Sequence, residues 1–430
     1  MTQIGVKVRE TLDDSRALMS SLKPLIPLLL AAGILLGGNG LQGTLIALRG
    51  AQEGFSPAII GVMGTAYFAG FLAGCIVVIR MMRAVGHIRV FAALAAMAAS
   101  GTLVMVLLIE PGVWIAVRLV SGFCFAGLFT VIESWLNSRV ANRDRARVLA
   151  LYRIIDIGAV TGAQFLIPLI GPGDFAIFAV MAIMITLSLV PVSLADRSNP
   201  TPPEKVGLNL AHAWRISPLA AVGSIAVGLT NSAFRTLSPV YAQGIGMSVT
   251  DVAAFVSVSI IGGALIQYPL GYLSDRTDRR TVILITATAA MAAALALAMA
   301  AGSDRILNFI LVFIFGAFAM PLYSLSAAHA NDRAEPTEYV QINAALMLFY
   351  STGAIIGPFA AALLMGPLGP SALFFFSAGI YIALIVIILY RMHVRSPAPD
   401  AARSRFTALL RTSPLFAWLS RRETRRQGRS

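Results

Sequence analysis

The chain has 430 residues, 57% of them hydrophobic and only 12% charged, with a net charge of +13 and a mean hydropathy of +0.80. A soluble domain carries roughly a quarter charged residues, so this composition excludes an ordinary soluble protein. Both cysteines, Cys75 and Cys124, lie inside apolar runs, which excludes a disulfide framework.

Apolar runs of about 20 residues, each long enough to cross a ~30 Å hydrocarbon core, recur along the chain. They predict spans at 24–48, 56–79, 88–109, 112–137, 148–170, 174–195, 216–241, 249–271, 282–301, 306–329, 341–365 and 371–391. Helices are expected, because lipid leaves no other partner for the backbone. The alternating pattern of a membrane β-barrel is missing. Residues 1–23 are polar and charged, and no cleavable leader is evident before the first run. Short turns such as Glu110-Pro111-Gly112 and Gly171-Pro172-Gly173-Asp174 predict antiparallel neighbours.

Between the sixth and seventh runs lies a polar stretch with the linker composition Asn199-Pro-Thr-Pro-Pro203. The expected organisation is a 1–23 N-terminal segment, a first six-helix half at 24–195, a linker at 196–215, a second half at 216–392 and a basic tail at 393–430. Apolar residues such as Phe406 and Trp418 sit among the tail arginines. Two readings stand: a segment on the anionic inner leaflet, or a plain disordered tail.

The charge is sorted. With the N-terminus inside, cytoplasmic segments hold 28 Lys and Arg, counting Arg89 and Arg391 at the cytoplasmic ends of their spans, and the external loops hold two, Arg49 and Arg305. Arg118, Arg153 and Arg235 lie within spans. This is the positive-inside bias. It places both termini in the cytoplasm, points to a multi-pass protein of a cell membrane, most simply a bacterial inner membrane, and accounts for the basicity without nucleic acid.

The halves repeat. Asn39-Gly-Leu-Gln-Gly-Thr44-Leu45 aligns with Asn231-Ser-Ala-Phe-Arg-Thr236-Leu237 at an offset of 192, and Gly158 and Gly162 align with Gly353 and Gly357 at 195. Parallel repeats about an axis along the membrane normal are a transporter architecture. The loop Gly271-Tyr-Leu-Ser-Asp275-Arg276-Thr-Asp278-Arg279-Arg280 has a worn copy 192 residues earlier, with Arg83 for Asp275, Gly86 for Asp278, His87 for Arg279 and Ile88 for Arg280. Gly271 permits close helix approach, Asp275 suits a helix N-terminus, and the arginines offer forks to carboxylates or lipid phosphates.

This loop resembles motif A of the major facilitator superfamily. Arg118-Leu-Val-Ser-Gly122 is similar to its motif B, and Gly353-Ala-Ile-Ile-Gly357-Pro358 to its motif C. The stretches Phe125–Asn137 and Pro321–Arg333 resemble the YcaD-like branch. The resemblance implies an all-α polytopic membrane protein of twelve transmembrane helices in two pseudo-symmetric halves. It also implies that spans 1, 4, 7 and 10 line a central cavity. That places Asn39, Gln42, Arg118, Asn231, Arg235 and Tyr323 near the substrate, while Gly158, Gly162, Gly353, Gly357 and Pro358 serve helix packing. There are departures. Arg83 reverses the charge that motif A calls for, and span 5 lacks the proline of motif C, which weakens any suggestion of an antiporter.

Ionisable residues inside spans are functional suspects. Two arginines facing one cavity favour an anionic group; snorkelling of Arg235 and backbone pairing of Arg118 are the structural alternatives. Glu133, Arg153 and Asp156 are expected at similar depth, as a gate reaching Arg83 or Arg89 or as a proton site. Desolvation raises a carboxyl pKa and a nearby Arg lowers it, so the gate is favoured, with Glu133 supplying the acid that the first loop lost. His329 is read as interfacial. The function expected is secondary active transport of a small solute by alternating access, by a monomer, with protons as a candidate coupling ion and lipids as neighbours. No enzyme, metal or cofactor signature is present. A roomy apolar cavity lined by Phe123, Phe125, Phe129 and Tyr323 puts export slightly ahead of import; the alternatives are an organic-anion importer and a non-transporting receptor or lipid-handling scaffold.

Overall fold

The computed structural model describes residues 25–139, 145–194, 209–302, 304–335 and 337–394, with the side chains of 137–139 and 145–147 also left aside. Expectations for the N-terminal segment, most of the linker and the basic tail lie outside these residues.

The first half runs α1 (Ile26–Gln52), α2 (Pro57–Val85), α3 (His87–Leu107), α4 (Pro111–Arg139), α5 (Arg145–Gln164, continued by Leu166–Ile170) and α6 (Phe175–Leu187, continued by Leu189–Leu194). The second runs α7 (Pro218–Gly244), α8 (Val249–Arg276), α9 (Arg279–Met299), α10 (Arg305–Ala319, continued by Leu322–Asn331), α11 (Tyr339–Leu368) and α12 (Ala372–Val394). Among the described residues, eleven helices are long and apolar enough to cross a membrane, or twelve when the bent pair ending in α7 counts as one span.

The starts of these helices follow local chemistry. Ser56, Asp174, Ser217, Ser248, Asp278 and Asp304 each accept a backbone N–H of the first turn, and Pro57 and Pro218 occupy positions whose N–H has no helical partner anyway. Pro321 cannot donate to the α10 ladder, and that span breaks there. Residues 210–216, expected to be mostly linker, form a short helix bent 112° from α7. Asn209 caps it at the His212 N–H, His212 meets Glu338 at 2.9 Å, and Trp214 packs on Phe349. A linker reading based on missing apolar period overlooked the cap and the two tertiary contacts.

The two halves pack alike where α2 meets α4 and α8 meets α10. Gly70 and Gly122 bring α2 and α4 into backbone contact; Gly262 and Gly316, their repeat equivalents, do the same for α8 and α10. Gly353 and Gly357 lie against the α7 carbonyls of Ile225 and Leu229, as expected of a packing motif. Gly158 and Gly162 do not serve that role. A side chain at either would meet nothing within 4 Å, because both face a lateral apolar groove between α1 and α5. The repeat alignment matched their sequence but not their neighbours.

Alternation puts the 53–56 loop and the 277–278 loop at opposite ends of the bundle. Toward the 53–56 end the halves are zipped along α2 and α11. Thr65 Oγ1 donates to the Ile355 carbonyl at 2.6 Å, and Gly61 and Gly64 lie against Pro358, Ala362 and Thr236.

Candidate functional site

A central cavity lies between the halves, with about 120 Å³ free to water centres, room for roughly ten waters or one small solute. Its walls come from α1 (Asn39), α2 (Tyr67, Phe68, Phe71), α5 (Arg153, Asp156), α7 (Asn231, Arg235), α8 (Gln267), α10 (Tyr323) and α11 (Tyr350). Helices α2, α5, α8 and α11 therefore contribute alongside α1, α7 and α10. From α4 the cavity takes Phe129 rather than Arg118.

Of the six expected cavity residues, Asn39, Asn231, Arg235 and Tyr323 line it. Arg118 and Gln42 do not. Arg118 reaches a smaller second cavity nearer the 53–56 end, also lined by Asn39, Tyr67 and Arg235. Gln42 is fully buried and accepts from Arg118 Nη1 at 2.9 Å. The resemblance put both on cavity-lining spans, but their side chains turn toward each other beside the cavity. Arg118 thus has a side-chain partner rather than a backbone carbonyl.

Tyr67 joins these residues, and sequence reasoning missed it. Its hydroxyl donates to Asn39 Oδ1 at 2.8 Å, and the Arg118 guanidinium carbon lies 4.2 Å from its ring centroid, a cation–π contact. Nothing distinguishes Tyr67 from other span aromatics in the sequence; its place opposite Gly122 emerges only from packing. Arg235, on the other half, is within electrostatic reach of both Tyr67 and Arg118. Neither arginine has a carboxylate within ion-pair distance among the described residues. Two like charges converge across the interface with no counter-ion among the described residues, an arrangement complementary to an anion.

Deeper toward the 277–278 end, Tyr323 stacks edge-on against Tyr350 and Gln267 donates to Ser324 Oγ at 3.2 Å. Phe123 and Phe125 pack elsewhere, so the aromatic wall expected from them reduces to Phe129 and the tyrosines.

The expected Glu133–Arg153–Asp156 group divides. Arg153 and Asp156 pair with each other at 3.0 Å on the cavity wall. Glu133 is fully buried, with Cys75 of α2 in its electrostatic surroundings. Equal depth across a hairpin does not set azimuth; each residue turns the side chain about 100°. Arg83 and Arg89 are exposed at the helix ends.

In the charged loop, Arg279 is buried and bonds Asp332 at 2.5 Å, Asp275 at 3.0 Å and Ser274 at 3.0 Å. Asp275 thus accepts from Arg279, although a helix N-terminus was the expected donor. Gly271 is buried on α8, and Arg276 lies over the Tyr272 ring. Asp278 takes Arg280 on both carboxylate oxygens. Burial pushes the Asp278 carboxyl up, but these bonds outweigh it and hold it below the usual range. Asp332 carries the lock within this half, a role not assigned from sequence, where only its opposite charge near the basic loop could have signalled it. In the worn copy, His87, equivalent to Arg279, meets Ser134 at 3.1 Å and stacks on Trp135.

Two parallel-repeat halves around a midplane cavity define a membrane transporter built for alternating access. The family model described as Major Facilitator Superfamily matches residues 28–320 and 219–425; the chain belongs to that family. It is 25% identical over 386 residues to the uncharacterized MFS-type transporter YcaD of Escherichia coli O45:K1, covering 89% of this chain and 98% of YcaD. It is 26% identical over the same length to YcaD of Escherichia coli O139:H28. The nucleoside transporter NupG shares the fold at a TM-score of 0.74 and 13% identity, over 86% of this chain and 98% of that one. A bacterial homologue of the lysosomal transporter Spinster, inward-facing and occupied, gives 0.70 and 14% over 87% and 97%.

Proposed function

We propose that this transporter is secondary active and carries a small organic anion with an aromatic or apolar body. The observation that supports this reading is the convergence of Arg235 and Arg118 on Tyr67 without a carboxylate partner among the described residues. An anionic group would dock at Arg235 with Asn39 and Asn231 beside it, while Phe129, Tyr323 and Tyr350 would hold the apolar body. Substrate binding relieves the arginine repulsion, so it favours the state in which both halves reach the anion.

With the charge sorting applied, the zipped 53–56 end is external and the termini are cytoplasmic, in a cell membrane. The Arg153–Asp156 pair and the charged loop then stand at the cytoplasmic side. In this reading proton coupling falls to Glu133 rather than Asp156, because Asp156 is engaged by Arg153.

The test uses purified protein and matched ligands. Small aromatic carboxylates should raise the thermal midpoint and their neutral amides should not. Arg235→Gln should remove the difference. Equal stabilisation by acid and amide would sink the anion reading.

A further inference from the structure

The smaller cavity beside the central site has chemistry that docking of a solute at Arg235 leaves unused. It lies just below the α2–α11 contact, since Gly64 forms part of its wall and packs against Thr236 of α7. It adjoins the central cavity, with which it shares Asn39, Tyr67 and Arg235. Arg118 reaches it from the first half and Arg235 from the second. No acidic residue is part of its wall, and neither guanidinium has a carboxylate within ion-pair distance among the described residues.

The polar side chains of this wall are mostly donors. Arg118 is 7% exposed, gives Nη1 to Gln42, and keeps a buried Nε without a partner. Arg235 makes no hydrogen bond or ion pair among the described residues. Asn39 accepts the Tyr67 hydroxyl through Oδ1, which leaves its amide N–H groups for the cavity. The Thr236 hydroxyl adds a further donor. The remaining side chains, Ile46, Ala47, Ile60, Met63 and Phe68, are apolar and offer no acceptor.

Size decides which anion these donors suit. About 20 Å³ is free to water centres, the room of one or two waters. Phosphate, sulfate and the body of an organic solute are too large. A halide is a sphere little larger than a water, carries a full charge, and accepts hydrogen bonds from any direction. A lone water could meet the same donors, but it would leave two guanidinium charges converging in a low-dielectric interior without neutralisation.

We propose that this cavity binds one halide ion, chloride being the common one, between Arg118 of the first half and Arg235 of the second. The ion joins the halves beside the Gly64–Thr236 contact and so supports closure of the 53–56 end. Its loss restores the repulsion between the arginines and favours opening there. The site rests on the same pair of arginines as the organic-anion reading, but on no property of the organic solute. If small carboxylates and their amides stabilise the protein equally, that reading falls and this one stands.

The purified full-length protein is dialysed into sodium gluconate and titrated with sodium chloride, sodium bromide or sodium sulfate, with gluconate holding the ionic strength constant. Thermal midpoint and retention of radioactive chloride are read together. Chloride and bromide should raise the midpoint saturably, sulfate should not, and one chloride should be retained per chain. Arg118→Gln and Arg235→Gln should each raise the half-saturating chloride concentration at least about tenfold, the worth of one charge-assisted hydrogen bond. Arg305→Gln, which removes an exposed cation at the same end but outside the cavity, should leave it unchanged. If Arg118→Gln folds too poorly to melt, chloride retention by Arg235→Gln decides. The proposal is overturned if chloride acts no better than gluconate, if sulfate acts as chloride does, if the two cavity variants retain chloride as the wild type does, or if Arg305→Gln weakens binding equally.

Discussion

Adding one methyl group to α2 should move the transporter between its states. A Cβ at Gly61 would sit 2.5 Å from the Ala362 Cβ and 2.7 Å from the Pro358 carbonyl oxygen; at Gly64 it would sit 2.6 Å from Thr236. Both meet the other half, and the Pro358 carbonyl is backbone that cannot swing aside. Overpacking of this kind costs about 1–3 kcal/mol. If the α2–α11 contact opens during the cycle, the cost falls only on the state seen here. The equilibrium then shifts by about 5- to 150-fold toward opening at the 53–56 end. The assay places a thiol at Asn231→Cys, on the cavity wall, in a background with Cys75→Ser and Cys124→Ala, and measures labelling by an impermeant reagent from each side of oriented vesicles. Gly61→Ala should speed labelling from the 53–56 side and slow it from the other. Lower thermal stability with unchanged sidedness would refute the argument, since the contact would then be a permanent joint.

Other consequences can be checked separately. Arg279 and Asp332 are 2% and 3% exposed, and breaking a buried pair costs about 3–5 kcal/mol, so Asp332→Asn should lower the thermal midpoint sharply. Asp275 is one-third exposed, at 33%. Asp275→Asn should therefore melt nearly as the wild type does but turn over more slowly, and full turnover would count against a switching role. Glu133→Gln should abolish pH-gradient-driven uptake while leaving ligand-induced thermal shifts intact; gradient-driven uptake at the wild-type rate would remove Glu133 from coupling. The Asp278 carboxyl, held below its usual range by Arg280 against the effect of burial, stabilises the fold above the unfolded pKa of about 3.9. That contribution is lost as pH falls through the lower folded value. The midpoint difference between wild type and Asp278→Asn should be flat from about pH 7 to 5 and shrink below about pH 4. A difference that grows toward acid would contradict the sign.

What the sequence revealed and what it hid divide along one physical line. Span number, alternation, the repeat and the basic loop follow from composition, run length and charge sorting, all carried by the chain in one dimension. Asn39, Asn231, Arg235 and Tyr323 lie on the cavity wall, on spans that the family resemblance places around it. Gln42 lies beside the cavity rather than in it, because a cavity-lining span does not turn every polar side chain inward. Gly158 and Gly162 matched their repeat partners in sequence and yet face a groove, so the two halves are not packed identically at α5 and α11. Tyr67 was invisible because its role comes from what three other helices bring to it.

The unequal loops bear on how the two halves divide the work. In the second half a buried guanidinium binds two carboxylates and a hydroxyl. Separating those charges in a low-dielectric setting is expensive, so that half should move as one rigid body. In the first half the equivalent contact is an imidazole–hydroxyl bond backed by a ring contact with Trp135, worth about 1 kcal/mol in a typical net exchange with water. A local adjustment between α3 and α4 is therefore much easier than one between α9 and α10. Restoring the charge pattern to the worn loop by Arg83→Asp and His87→Arg should stiffen the first half. Amide exchange at the ends of α3 and α4 should then slow toward that at α9 and α10. Unchanged exchange would mean that the contrast between the loops has no mechanical consequence.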